Sequence, residues 1–127
     1  MTRGGAAGRA TDARTRRPAW IAFGCAVLVQ LSVLYAPTGP GGDPPAYADK
    51  VVHLAVFAAV AWTGRRAGIR SRPLLVALVA HAVVSELLQL TLLPGRSGDL
   101  LDVVADIVGA VVGLVVAGPT PRATMDP

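Results

Sequence analysis

Four apolar runs set between short polar stretches constrain this chain more than any other feature: Ala19 to Ala36, Val51 to Gly64, Leu74 to Leu93 and Leu100 to Gly118. Three of them match the roughly 20 residues that a helix needs to cross a hydrocarbon core. Lipid offers no partner for a free N–H or C=O, so runs of this kind fold as helices that bond their own backbone. The second run is shorter and covers only ~21 Å at ~1.5 Å per residue. Either its helix borrows Asp49 and Lys50 while Arg65 and Arg66 snorkel, or the bilayer thins around it.

The expected fold is therefore all-α: an integral membrane four-helix bundle with helices at about 19–36, 49–64, 74–93 and 100–118. One domain, 19–118, accounts for the chain, flanked by a basic tail (1–18) and a second tail (119–127) that lack apolar periodicity and read as disordered. Hydrophobic residues make up 53% of the chain and charged residues only 16%, which excludes an ordinary soluble domain. The first run is longer than the apolar core of a signal peptide and ends well before the cleavage-like "AYA" at 46–48, so it reads as a membrane helix. Cys25 is the only cysteine, so no internal disulfide can form.

Orientation follows from the arginines. Arg3, Arg9, Arg14, Arg16 and Arg17 precede the first helix, Arg65, Arg66, Arg70 and Arg72 lie between the second and third, and Arg122 follows the fourth. Four helices place these segments on one side, which the positive-inside rule makes cytoplasmic, together with both termini. A nucleic-acid partner is not needed to explain the basic balance, because anionic lipid attracts the same residues. Eleven arginines against one lysine, with abundant Ala, Val and Gly, is the composition expected of a GC-rich bacterial genome.

The same topology gathers most of the intramembrane polar residues at the outer end. Asp49, Lys50 and His53 open the second helix, and Arg96 and Asp99 lie in the last turn. Glu86 and Gln89 fall ~11 and ~6 Å inside the end of the third helix, while Asp102 and Asp106 fall ~3 and ~9 Å into the fourth. Spacings of three, four and seven residues put each set on one helical face, and charges facing lipid are expensive, so the faces are expected to meet. Structural explanations exist for single residues. Glu86 can pair with Lys50 or Arg96, His53 can bond Asp49 or a backbone carbonyl, and Asp102 can cap the fourth helix. Asp106 lies too deep to cap. Six acids (Asp43, Asp49, Glu86, Asp99, Asp102, Asp106) against two cations leave negative charge that pairing does not absorb. His81 stands apart near mid-membrane as a hydrogen-bonded packing residue. Gly109 and Gly113 form a small-xxx-small pair on the face of Asp102 and Asp106, which turns that face into the bundle.

In order and spacing, "DKVVH", "ELLQL", "PGRSGDLLD" and "DVVADIVGAVVG" resemble the VanZ-like family of small bacterial membrane proteins. The resemblance covers residues 49–117, and the first helix matches by length and hydrophobicity alone. It implies a multi-pass protein of the bacterial cytoplasmic membrane, one whose namesake lowers sensitivity to the lipophilic glycopeptide teicoplanin. Asp106 departs from the asparagine usual at that place, and the resemblance implies that Asp106→Asn is nearly silent.

Three readings of function remain open. The first is a binding protein whose outer cluster holds a membrane lipid, a cell-wall precursor or a glycopeptide antibiotic, with antibiotic resistance as the consequence. The second is an enzyme acting on such a head group, with Glu86 or Asp106 as acid or base, His53 as its partner, and Arg96 and Lys50 on a phosphate. Ser85 and Ser97 lack a paired base, and "RSGD" lacks the first glycine of an intramembrane aspartyl protease motif. The third is a small proton-coupled exporter, against which the first helix carries only Gln30. No cofactor is expected. A zinc site on His53 and the acids is disfavoured because no HExxH or similar spacing occurs.

Overall fold

The computed structural model describes residues 4–36, 45–93 and 98–119. Four helices account for nearly all of them: α1 (Gly4–Tyr35), α2 (Ala46–Arg66), α3 (Ser71–Leu92) and α4 (Leu100–Ala117). The all-α expectation holds, and the described residues contain no strand. Arg16–Tyr35, α3 and α4 are each long and apolar enough to span a membrane.

Helix bounds differ from the apolar runs where polar residues form helix. α1 continues back to Gly4 through the stretch read as a disordered tail, because alanine and arginine favour helix without creating the apolar stripe that reveals one. α2 starts at Ala46 and so includes Asp49 and Lys50, which brings its 21 residues to ~31 Å. Of the tail at 119–127, only Pro119 belongs to the described residues.

The core is built around α2. Phe57, Val60 and Ala61 are buried against Leu34 of α1, Leu74, Leu78 and Ala82 of α3, and Ala110 of α4. Helices in lipid gain little from hydrophobic burial and associate through close packing, so small residues decide which pair comes nearest. Gly109 and Gly113 make that pair α2 and α4: a Cβ on either would strike the carbonyl oxygen of Leu54 or of Ala58. Opposite this seam α4 exposes Val104, Val108, Val111, Val112, Val115 and Val116, a surface suited to acyl chains.

At the end of α2 away from Asp49, the two arginines do different things. Arg66 stacks on Trp62, its guanidinium carbon 5.7 Å from the ring centre. Arg65 does not snorkel. It is buried and donates to the carbonyls of Ile69 at 2.9 Å and Gly118 at 3.4 Å, tying the α2–α3 turn to the end of α4 where helix carbonyls lack intrahelical donors.

Candidate functional site

Antiparallel packing brings the start of α2, the last turns of α3 and the start of α4 to one end of the bundle. Asp49, Lys50, His53, Glu86, Asp99, Asp102 and Asp106 meet there, as the sequence leads one to expect. Arg96 lies outside the described residues, as do Asp43 and Ser97.

The inner part of the cluster is closed. His53, Glu86, Asp102 and Asp106 are all at least 96% buried. His53 Nδ1 lies 3.0 Å from Asp106 Oδ1 in a hydrogen bond and 3.9 Å from Glu86 Oε1. Its Nε2 faces Asp49 Oδ1 at 3.9 Å, too far for a hydrogen bond. The main partner of His53 is therefore Asp106, not the i,i+4 acid. The reason is the early start of α2, which sets His53 seven residues, ~10 Å, inside the helix, level with Asp106 in α4.

The outer part is a rim centred on Lys50. Its ammonium donates to Asp99 Oδ2 and Asp102 Oδ1, each at 3.2 Å, which bolts α2 to the start of α4. Among the described residues Glu86 has no ion pair with a lysine or arginine; its one ion-pair contact is with the His53 ring, at 3.9 Å. Glu86 Oε2 accepts from the backbone N–H of Asp99 at 2.9 Å, so the carboxylate holds the turn that enters α4. Asp99, not Asp102, caps α4, its Oδ1 accepting from the Leu101 N–H at 3.2 Å. That backbone donor, followed by the Lys50 ammonium, holds the Asp99 carboxyl below the usual aspartate value. The side chain of Asp102 is left to the lysine.

Gln89 is buried but does not join the cluster. Its amide donates to the Leu34 carbonyl at 3.1 Å, using one of the acceptors left free at the C-terminal end of α1. His81 bonds the Tyr35 hydroxyl at 3.2 Å and lies 5.7 Å from the Phe57 ring, which matches a packing role. Ser85 donates to the Ala82 carbonyl and is fully buried, so it is not positioned as a nucleophile by His53. Sequence reasoning missed Tyr35 as the partner of His81; an aromatic hydroxyl at a helix end, with one buried polar group on a neighbouring helix, was the available signal.

Two groups of three could take a metal ion, each with ligand atoms within 4.8 Å of one another: Asp49, His53 and Asp102, and His53, Glu86 and Asp106. Both use the same imidazole, through either of its nitrogens.

These features define an all-helical membrane protein with a buried acid–imidazole cluster at one end of its bundle. The family model described as VanZ/LLP1 matches residues 9–118, so the chain belongs to the VanZ-like family and the resemblance extends through the first helix. No curated protein and no solved structure matches it.

Proposed function

We propose that this VanZ-like protein is a multi-pass protein of the bacterial cytoplasmic membrane whose polar cluster faces outward and holds the head group of an envelope lipid, a cell-wall precursor or a lipophilic glycopeptide. The observation that supports this reading is the rim: Asp49 and Asp99 stay partly exposed beside a single described cation, Lys50. A surface of this kind is suited to an amine-bearing head group, which teicoplanin and peptide-bearing cell-wall precursors both offer. The lipid-facing sides of the helices leave the ligand's acyl chain in the bilayer while its polar part reaches the rim.

A second reading, an enzyme acting on the same head group, is favoured by one feature. Asp106 backs the Nδ1 of a buried imidazole whose Nε2 has no hydrogen-bond partner among the described residues, an arrangement able to move a proton. The binding reading ranks first because no described nucleophile is aimed at that nitrogen.

The test is binding of teicoplanin and of a lipid-linked cell-wall precursor to the full chain in nanodiscs, alongside the glycopeptide susceptibility of a sensitive host expressing it. Asp49→Asn should weaken binding about tenfold or more, the loss expected when a charge-assisted hydrogen bond disappears. Unchanged susceptibility together with no binding of either probe would overturn the reading. Release of a modified head group during the assay would promote the enzyme.

A further inference from the structure

His53, Glu86 and Asp106 come from three different helices and are closed off from solvent, at 1%, 4% and 0% exposure. Three of their polar atoms, His53 Nε2, Glu86 Oε1 and Asp106 Oδ2, have no hydrogen-bond partner among the described residues. Buried carboxylate oxygens in that condition are costly, and two carboxylates here share one imidazole. A proton on one carboxyl would supply one donor and leave the other atoms as they are.

We propose that these three residues bind a divalent transition-metal ion of the zinc or manganese class, held by His53 Nδ1 and by the Glu86 and Asp106 carboxylates. The dication neutralises both acids. It takes the place of the proton between Nδ1 and Asp106 Oδ1 and gives Glu86 Oε1 a partner. With Nδ1 on the metal the ring proton resides on Nε2, which faces Asp49 Oδ1 at 3.9 Å, so the partly exposed Asp49 side chain has to close by about 1 Å to complete the outer carboxylate contact usual for metal-bound imidazole. One ion thus engages all three residues, and it gives Asp106 Oδ2 a partner as well when that carboxylate binds through both oxygens.

The distances allow it. Donor atoms ~2.1 Å from a common ion stand ~3.0–3.4 Å apart at right or tetrahedral angles. Nδ1 is already 3.0 Å from Asp106 Oδ1 and 3.9 Å from Glu86 Oε1, so side-chain adjustments suffice. One nitrogen and carboxylate oxygens select zinc, manganese or iron over calcium and magnesium, which prefer oxygen alone. No sequence motif announces the site because its ligands are 33 and 20 residues apart along the chain and meet only through helix packing (86 − 53 and 106 − 86). The site is independent of which head group occupies the rim.

The experiment uses the full chain in detergent with a histidine-free affinity tag, loaded with Zn²⁺ or Mn²⁺, desalted and analysed for metal, with thermal melting followed in parallel. The expected result is about one ion per chain for at least one of the two metals, a Tm raised by that ion and lowered by EDTA, and Glu86→Gln and Asp106→Asn variants that bind it at least about tenfold more weakly. Asp49→Asn keeps an acceptor for Nε2–H and should retain the ion while losing the head group, so this site and the proposed function fail separately. Wild-type protein that retains neither metal and melts identically with either ion or EDTA would overturn the proposal. So would variants at Glu86 and Asp106 that retain the ion, or loss of it in Asp49→Asn and Asp102→Asn alone, which would move it to Nε2. Should a variant not fold, Co²⁺ in the unaltered chain decides the same point: ligand-field bands with a paramagnetically shifted imidazole signal support the site, and their absence overturns it.

Discussion

At the scale of single residues, Lys50 joins two acids, Asp99 and Asp102, at the rim. It remains partly exposed, yet it is the only described partner of the buried Asp102 side chain and also reaches Asp99. Removing the lysine leaves a carboxylate in a closed place, whereas removing both members leaves none. Lys50→Met is therefore expected to lower the Tm by several degrees in the native background and by much less in an Asp102→Asn background, with Asp99→Asn giving little such rescue because Asp99 can turn to water. Equal losses in all three backgrounds would show that Asp102 does not depend on the lysine. This pairing was only half legible in the sequence. Periodicity placed Lys50 and Asp102 at one end of the bundle, but which acid the lysine chooses depends on side-chain reach across two helices. His53 shows the same limit. Counted from its apolar run it falls at the mouth of α2, and only the true start at Ala46 makes it level with Asp106. The structure also bears on Asp106→Asn, which family resemblance alone would leave nearly silent: the acid is fully buried and bonded to His53, so its charge has a partner to lose.

At the scale of elements, the α2–α4 seam carries the bundle, and it was legible as two glycines one helical turn apart on the face of the aspartates. Its partner was not, because carbonyls of Leu54 and Ala58 leave no mark in sequence; a backbone accepts a close neighbour wherever the opposing helix is small. Gly109→Ala is expected to cost about 1–3 kcal/mol, the range for overpacking a filled interior, since the added carbon meets backbone atoms that cannot rotate away. Gly24→Ala is the control. Nothing lies within 4 Å of the position a Cβ would take there, and replacing a glycine inside α1 should raise stability by up to about 1 kcal/mol. Chemical denaturation in detergent reads both signs; similar effects at the two glycines would mean that α2 and α4 are not in close contact. Helices without an apolar face escape detection in sequence for a different reason. The first half of α1 carries no apolar period in its sequence, so periodicity has nothing to detect.

At the scale of the whole molecule, charge divides the bundle. Arg16, Arg17, Arg66, Arg70 and Arg72 are exposed, and Arg16 comes close to the α2–α3 turn at Gly68, so these arginines share one end. Lys50 is the only lysine or arginine described at the other end, against Asp49, Glu86, Asp99, Asp102 and Asp106. This division is what the proposed orientation rests on: the positive-inside rule would make the arginine end cytoplasmic and turn the cluster outward, toward the envelope ligands proposed for it. Leu100, 77% exposed at the start of α4, and the exposed Ser71 at the start of α3 mark the two ends. Cys25 is also exposed and must first be replaced by serine. In that background Leu100→Cys should react with a membrane-impermeant thiol reagent in intact cells, and Ser71→Cys should react only after permeabilisation. The reverse pattern would put the cluster in the cytoplasm and remove every outward-facing ligand from consideration. It would leave the proposed His53–Glu86–Asp106 metal site untouched, because that proposal rests on packing within the bundle and not on the side of the membrane it faces.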